Sequence, residues 1–295
     1  MPVKYINAGV TIILLIFSLS CSSSKHSRKS QDAMPGTWQE GAIAIDGDSK
    51  DWPSPYPNFD AKAKVAYATS NDKQYLYITM ETGDEMTQMK ILKQGMTVSI
   101  DTSGGKDAAF HINFPLPNDN DDVDIPKAGS NHKQQDGETI FSGKQINVKL
   151  SKMMKGATQF SLEGFNTGNG GYMASQTAPC GIKVSAGIDE YKELVWEAVI
   201  PFSAIYNKST ISATDAGKPI SVCFAIKGFK HPSSKDGEGG SANMNSNPGN
   251  MGGRTAGSRG GGRGGSAKGV AENPLQHLYE STKTWKYFGL AYKQE

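Results

Sequence analysis

Three cysteines, five histidines, four tryptophans and one aspartate-rich run are the residues of this 295-residue chain whose types can carry chemistry. Cys21 stands between an apolar run and Ser22-Ser23-Ser24, where its thiol is placed for covalent modification. Asp119, Asp121, Asp122 and Asp124 crowd oxygen ligands of the kind calcium takes six to eight at a time. The run lacks the glycine and closing glutamate of an EF-hand loop, and a solvated acidic loop is the alternative. Trp52 and Tyr172 are flat rings in turn-like segments rich in proline or glycine, suited to stacking on the apolar face of a sugar ring. For Trp52 the alternative is a plug closing one end of the fold. His111 shares a strand face with Asn113, where it lines a concave sheet or simply meets solvent.

Catalytic patterns are absent from the sequence. There is no Gly-x-Ser-x-Gly elbow and no His-Glu-x-x-His, and the histidines at 26, 111, 132, 231 and 277 are scattered. The expectation is a protein that is not an enzyme. Cys180 and Cys223 lack metal-ligand spacing; in an oxidising compartment they pair or stay as free thiols. With 31 basic and 29 acidic residues the net charge is +2, so nothing global attracts nucleic acid.

The amino terminus predicts export. Lys4 precedes an apolar run from Ala8 to Leu19 that is too short to span a bilayer as a helix. A basic start, a short apolar core and small residues form a secretory signal. Phe17-Ser18-Leu19-Ser20-Cys21 resembles a lipobox, although Leu19 sits two positions before the cysteine, not three. Residues 1–20 therefore read as a lipoprotein signal peptide and Cys21 as the lipidation site. Acyl chains hold a protein at a membrane by about 0.8 kcal/mol per buried methylene. Residues 21–40 read as a polar, flexible tether.

Residues 41–295 must then position whatever functions. Short runs of period-two alternation recur at 74–81, 97–101, 109–114, 159–163, 194–200, 220–228 and 285–292. Separated by Gly, Asn, Asp and Pro, they predict an all-β, two-sheet antiparallel β-sandwich. Helical signal is thin: residues 86–93, 201–206 and 274–282 suit short helices or turns. Two insertions interrupt the pattern. Residues 115–139 are polar and acidic. Residues 237–271 hold thirteen glycines among thirty-five residues, with Arg254, Arg259, Arg263 and Lys268, and predict a long disordered loop. Its Arg-Gly-Gly pattern is similar to RNA-binding arms, which an exported chain does not use; a solvated, weakly cationic loop that touches anionic lipid or acidic glycan suits it better.

Several local patterns carry a family resemblance. Ile45-Asp46-Gly47-Asp48 with Asp51-Trp52-Pro53 resembles the opening of family 9 carbohydrate-binding modules and the related DOMON-like sandwiches. So do Asn71-Asp72 before Gln74-Tyr75-Leu76-Tyr77-Ile78, then Val98-Ser99-Ile100-Asp101, then Trp196-Glu197-Ala198-Val199-Ile200-Pro201-Phe202. The resemblance covers about residues 40–230, with residues 285–292 as a closing strand. It implies a sandwich that binds glycan without catalysis, often with structural calcium. The two insertions depart from the family pattern. Some DOMON-like domains bind haem through Met and His, and eleven methionines leave ligands for it, although no Cys-x-x-Cys-His for covalent haem is present.

Two functions follow as expectations. One is a lipid-anchored glycan-binding module of the cell envelope, at the outer membrane of a Gram-negative bacterium, that presents polysaccharide to neighbouring proteins. The other is a structural or assembly lipoprotein whose sandwich docks another envelope protein through an apolar patch.

Overall fold

A computed structural model of the chain describes residues 33–116, 143–165, 171–230 and 276–294, all within one compact unit, Asp32–Glu295. The expected signal peptide with Cys21, the aspartates at 119, 121, 122 and 124, and the Gly-rich stretch 237–271 lie outside the described residues.

Eleven described strands form two antiparallel sheets. The first runs β1 (Asn58–Asp60), β2 (Val65–Asn71), β3 (Tyr75–Thr82), β9 (Leu194–Pro201), β8 (Lys183–Ile188). The second runs β11 (Thr282–Gly289), β10 (Pro219–Ile226), β4 (Met96–Asp101), β5 (Phe110–Phe114), β6 (Gln159–Glu163), β7 (Gly171–Met173). Inward positions of both sheets build one core. Leu76, Ile78 and Met80 come from β3 and Trp196, Ala198 and Ile200 from β9; Val98, Ile100, Ile112, Phe160, Val222 and Phe224 face them from the other sheet. The Tyr67 and Phe224 rings meet across the layers with centroids 5.6 Å apart. Each such side chain contributes about 1.5–3 kcal/mol on burial. The fold is the expected all-β sandwich.

Strands β1, β2, β7 and β8 lie outside the alternating runs of the sequence. The closing strand occupies Thr282–Gly289, three residues earlier than expected. Helix α1 (Glu85–Gln94) forms at the expected place, capped by Asp84, whose carboxylate accepts the Thr87 backbone N–H at 2.9 Å. Helix α2 (Gly143–Gly156) forms outside the expected helical segments, and its Ile146, Leu150 and Met153 recur at helical spacing and are buried. Short turns α3 (Phe202–Ile205) and α4 (Gln276–Tyr279) match the other two helical segments. Lys90 on α1 is fully buried and donates its ammonium to the His277 and Glu280 carbonyls, which ties α4 to α1.

Residues 34–40, read from the sequence as the end of the tether, run along the sandwich. Met34 bridges Phe288 and Trp38 bridges Asn71, both in parallel sense. The next stretch, 41–56, straps across the outer side of the five-stranded sheet. Ile43, Ile45 and Trp52 pack there on Ala68 and Tyr77 in a second, smaller apolar cluster.

Candidate functional site

The strap is pinned by one buried carboxylate. Glu197 points outward from β9 and is wholly covered. Its Oε2 accepts the backbone N–H groups of Gly47 (2.7 Å) and Asp46 (3.1 Å), and its Oε1 accepts the Trp52 indole N–H at 2.5 Å. Two stretches about 150 positions apart thus meet at a single side chain. Burial pushes Glu197 up to about 7 despite those three donors, which favour the charged form. Gly47 sits at φ +89°, and a Cβ there would lie 2.5 Å from the Ala186 carbonyl carbon, so the strap presses directly on β8.

This geometry corrects the expectation for Trp52. Its ring is only 5 % exposed and serves as a plug, because its N–H needs Glu197 and its face needs Ile43, Ile45 and Tyr77. It offers no face for a sugar. Tyr172 is corrected too. It lies on β7, not in a free loop, and pairs with Phe160 in register. Alternation therefore sends Gly171 and Met173 outward and turns the Tyr172 ring onto Phe160, centroids 5.6 Å apart. His111 faces outward from β5, half-buried, with Nδ1 2.9 Å from the Ser99 hydroxyl. Cys180 and Cys223 are free thiols, and burial raises Cys223 to about 11. Among the described residues no group of three or more His, Cys, Asp or Glu is arranged to hold a metal.

A site the sequence did not show is a groove of about 660 Å³ beside the β2–β3 turn. Its walls include Trp38, Gln39, Glu40, Tyr75, Tyr77 and Lys293, with Asp72 and Gln74 at the turn. Each ring is held from behind. Trp38 meets Tyr292 edge-on at 6.3 Å, and Tyr75 leans on Tyr77 at 6.2 Å. Tyr77 donates its hydroxyl to Asp72 Oδ2 at 2.9 Å, and burial pushes that phenol up, so it stays a neutral donor. Asp72 Oδ1 accepts the Gln74 and Tyr75 backbone N–H groups at 2.6 and 2.7 Å, shaping the turn. Glu40 and Lys293 pair across the groove at 2.6 Å.

Asn71 assembles these walls from the two ends of the described chain. Its backbone exchanges hydrogen bonds with Thr37 and Gln39, and its side chain accepts from Ala291 N and donates to Ala291 O, both at 2.9 Å. The sequence placed Trp38 at the end of a tether. The alternation that set Tyr75 and Tyr77 on one strand face was legible; that residues 38 and 293 meet them was not.

One further grouping has the composition of a catalytic triad. Thr87 Oγ1 lies 3.2 Å and Asp84 Oδ1 3.7 Å from His277, but both contacts use the same ring nitrogen, Nε2. A relay needs the carboxylate on the other nitrogen. Thr87 is also buried and bonded to the Ala63 carbonyl, so the group clamps α1 to α4.

No protein-family model matches the chain, and no curated protein matches it. Among solved structures, it is similar to a Bacteroides uniformis protein described as a "putative carbohydrate-binding protein". That likeness has 12% identity and a TM-score of 0.30, covering 67% of this chain and 84% of the other; at that score it carries no argument about function.

Proposed function

We propose that this is a lipid-anchored cell-envelope protein that binds glycan, without catalysis, in the groove between Trp38 and Tyr75. The carrying observation is the pairing of two partly exposed aromatic rings, Trp38 and Tyr75, with hydrogen-bonding groups in one concavity. Flat rings take the apolar face of a pyranose, and a few placed polar groups fix its hydroxyls. Tyr75 is braced by Tyr77 and Trp38 by Tyr292, so little side-chain freedom is lost on binding. The anchor is Cys21, and the outer membrane of a Gram-negative bacterium is the proposed location. The same proposal has the acidic run of Asp119, Asp121, Asp122 and Asp124 hold calcium.

Two measurements test this reading. Metabolic labelling with a palmitate analogue should mark the wild type and not Cys21→Ser; equal labelling removes the anchor assignment. On a glycan array, full-length protein in detergent should bind at least one oligosaccharide. Tyr75→Ala and Trp38→Ala should each weaken that binding roughly tenfold or more, by analogy with the ~1–3 kcal/mol of an aromatic stack on a nucleobase. Variants that keep their circular dichroism and bind as tightly as the parent place the site elsewhere. A parent that binds no glycan shifts the assignment to a structural or assembly lipoprotein.

A further inference from the structure

Helix α2 turns one side to the core and a cationic side to solvent. Ile146, Leu150 and Met153 are buried, whereas Val148, Lys149, Ser151, Lys152 and Lys155 are exposed. At 3.6 residues per turn, Lys152 and Lys155 flank Val148 in the middle of the exposed side, and Lys149 stands at its border. Val148 is 67 % exposed, more than any other branched aliphatic side chain among the described residues. Lys144, Lys149, Lys152 and Lys155 are the only ionisable residues from Ser142 to Leu162.

Other lysines hold carboxylates: Lys50 pairs with Asp48, Lys208 and Lys218 with Asp215, and Lys293 with Glu40. Lys149, Lys152 and Lys155 form no ion pair among the described residues. Helix α1 and strand β8 pack against α2, and their charged residues are Glu85, Lys90 and Lys93 on α1 and Lys183 on β8. Lys90 is used up inside by the His277 and Glu280 carbonyls. The surroundings therefore add one carboxylate against two lysines, and the face stays positive.

We propose that the exposed side of α2 docks on the phosphate-bearing headgroups of an anionic bilayer. Charge complementarity selects the occupant. A lysine close to such a surface contributes about a fivefold preference, so three together give roughly a hundredfold. Their aliphatic stems let the ammonium groups reach phosphates while Val148 enters the headgroup layer. The 14-residue helix is a rod about 21 Å long, locked along its apolar side into the core. A planar array of phosphates meets its lysines together, with no backbone left to order. The contact also sets the sidedness of the molecule. Helix α1, on which α2 packs, joins the ends of β3 and β4 that lie opposite the β2–β3 turn bordering the groove. Docking through α2 leaves the groove at the end of the strands away from the bilayer. The 13 residue steps from Cys21 to Met34 span up to about 45 Å. A strand of the length of β2 with one helix diameter added measures roughly 34 Å, so an anchor at Cys21 reaches the same bilayer. The proposal needs neither that anchor nor the glycan reading of the groove.

The test is lysine labelling with an amine-reactive acetyl ester, read by peptide mass spectrometry on the full-length protein. The settings are a neutral detergent, phosphatidylcholine vesicles, and vesicles of equimolar phosphatidylcholine and phosphatidylglycerol. Labelling of Lys149, Lys152 and Lys155 should slow tenfold or more in the anionic vesicles alone, while Lys293 at the groove keeps its rate. Salt at about 1 M, where the Debye length is about 3 Å, should restore the rates. The Lys149→Glu, Lys152→Glu double variant alters exposed side chains only, so its circular dichroism should match the parent. In that variant Lys155 should label in anionic vesicles as fast as in detergent. Equal rates in the two kinds of vesicle overturn the proposal. Slow labelling already in detergent also overturns it, and would make the chain's own acidic run from Asp119 to Asp124 the occupant. Protection by polyglutamate in detergent, with none on anionic vesicles, assigns the face to an acidic protein and overturns the bilayer.

Discussion

The outer faces of the two sheets are covered differently: a strap crosses the five-stranded sheet, whereas on the six-stranded sheet the outward residues are largely buried at β4 and β10 and only partly covered at β5 and β6. On the five-stranded sheet, β3 and β9 are buried on both sides over most of their length, because outward residues such as Tyr77 and Glu197 lie beneath the 41–56 strap. On the six-stranded sheet, β6 alternates between buried and uncovered positions, and the outward His111 and Asn113 of β5 are partly covered. An antiparallel sheet needs only one covered face. The covered outer face holds its residues for stability, and the groove appears only at its margin, where the strap and the carboxy-terminal residues leave Tyr75 uncovered. On the six-stranded sheet the outward Ser221 and Asp101 are also buried and hold the 103–107 turn, through the Gly105 carbonyl and the Ser103 and Asp107 N–H groups.

The largest test of this contrast is Trp52→Ala. Removing a buried indole from the strap should cost about 3–5 kcal/mol, read as the shift of a urea unfolding midpoint. Glu197 would also lose one of its three donors. A cost below about 1 kcal/mol would mean that the strap is dispensable and the two faces are alike. At the other extreme, Asn113→Ala on the open face should change stability by no more than about 0.5 kcal/mol, as expected of a surface substitution. A large loss there would make the outward hydrogen bonds of Asn113 to Thr97, Ser161 and Glu163 structural.

Between these lies a pH effect that belongs to the covered face alone. Burial pushes Glu81 and Glu197 up from the ordinary 4.5 to about 7; for Glu81 the nearby Glu193 and Asp189 carboxylates add to it. A carboxyl raised in the folded state contributes stability that is fully present below its unfolded value, and that stability is lost as pH rises through the folded value. Unfolding free energy should therefore fall between about pH 4.5 and 7. Asp60, Asp84 and Asp101 are held below the usual carboxylate range and change stability in a lower window, below about pH 4. Glu81→Gln should flatten the upper window by on the order of 2 kcal/mol. Denaturant midpoints at pH 5 and pH 8 measure it. An unchanged slope would show that Glu81 is solvated and that the strap does not dry this face.

Local pattern determined a good deal of this protein. Alternation in residues 74–81, 109–114 and 194–200 set the inward and outward sides of β3, β5 and β9, because a pleated strand sends successive side chains to opposite faces whatever surrounds it. The same rule placed His111 beside Asn113 on an outer face. Strands as short as β1 and β7 carry too few residues to show a period, and at α2 the helical repeat of Ile146, Leu150 and Met153 was legible but unread.

What alternation cannot report is which outer face another segment will cover, since that depends on contacts between residues far apart in sequence. The Trp52 indole reaches a carboxylate 145 positions away. Asn71 joins Thr37 to Ala291, and only that closure turns Trp38 from a tether residue into a groove wall. Tyr172 shows the reverse case: its neighbouring glycines suggested a free loop, and pairing with β6 turned the ring inward. The sequence by itself decided the sheets and the polarity of their faces through nearest-neighbour geometry. The tertiary structure alone decided which aromatic rings are plugs and which remain available, because burial is a property of what packs on a residue and not of the residue itself.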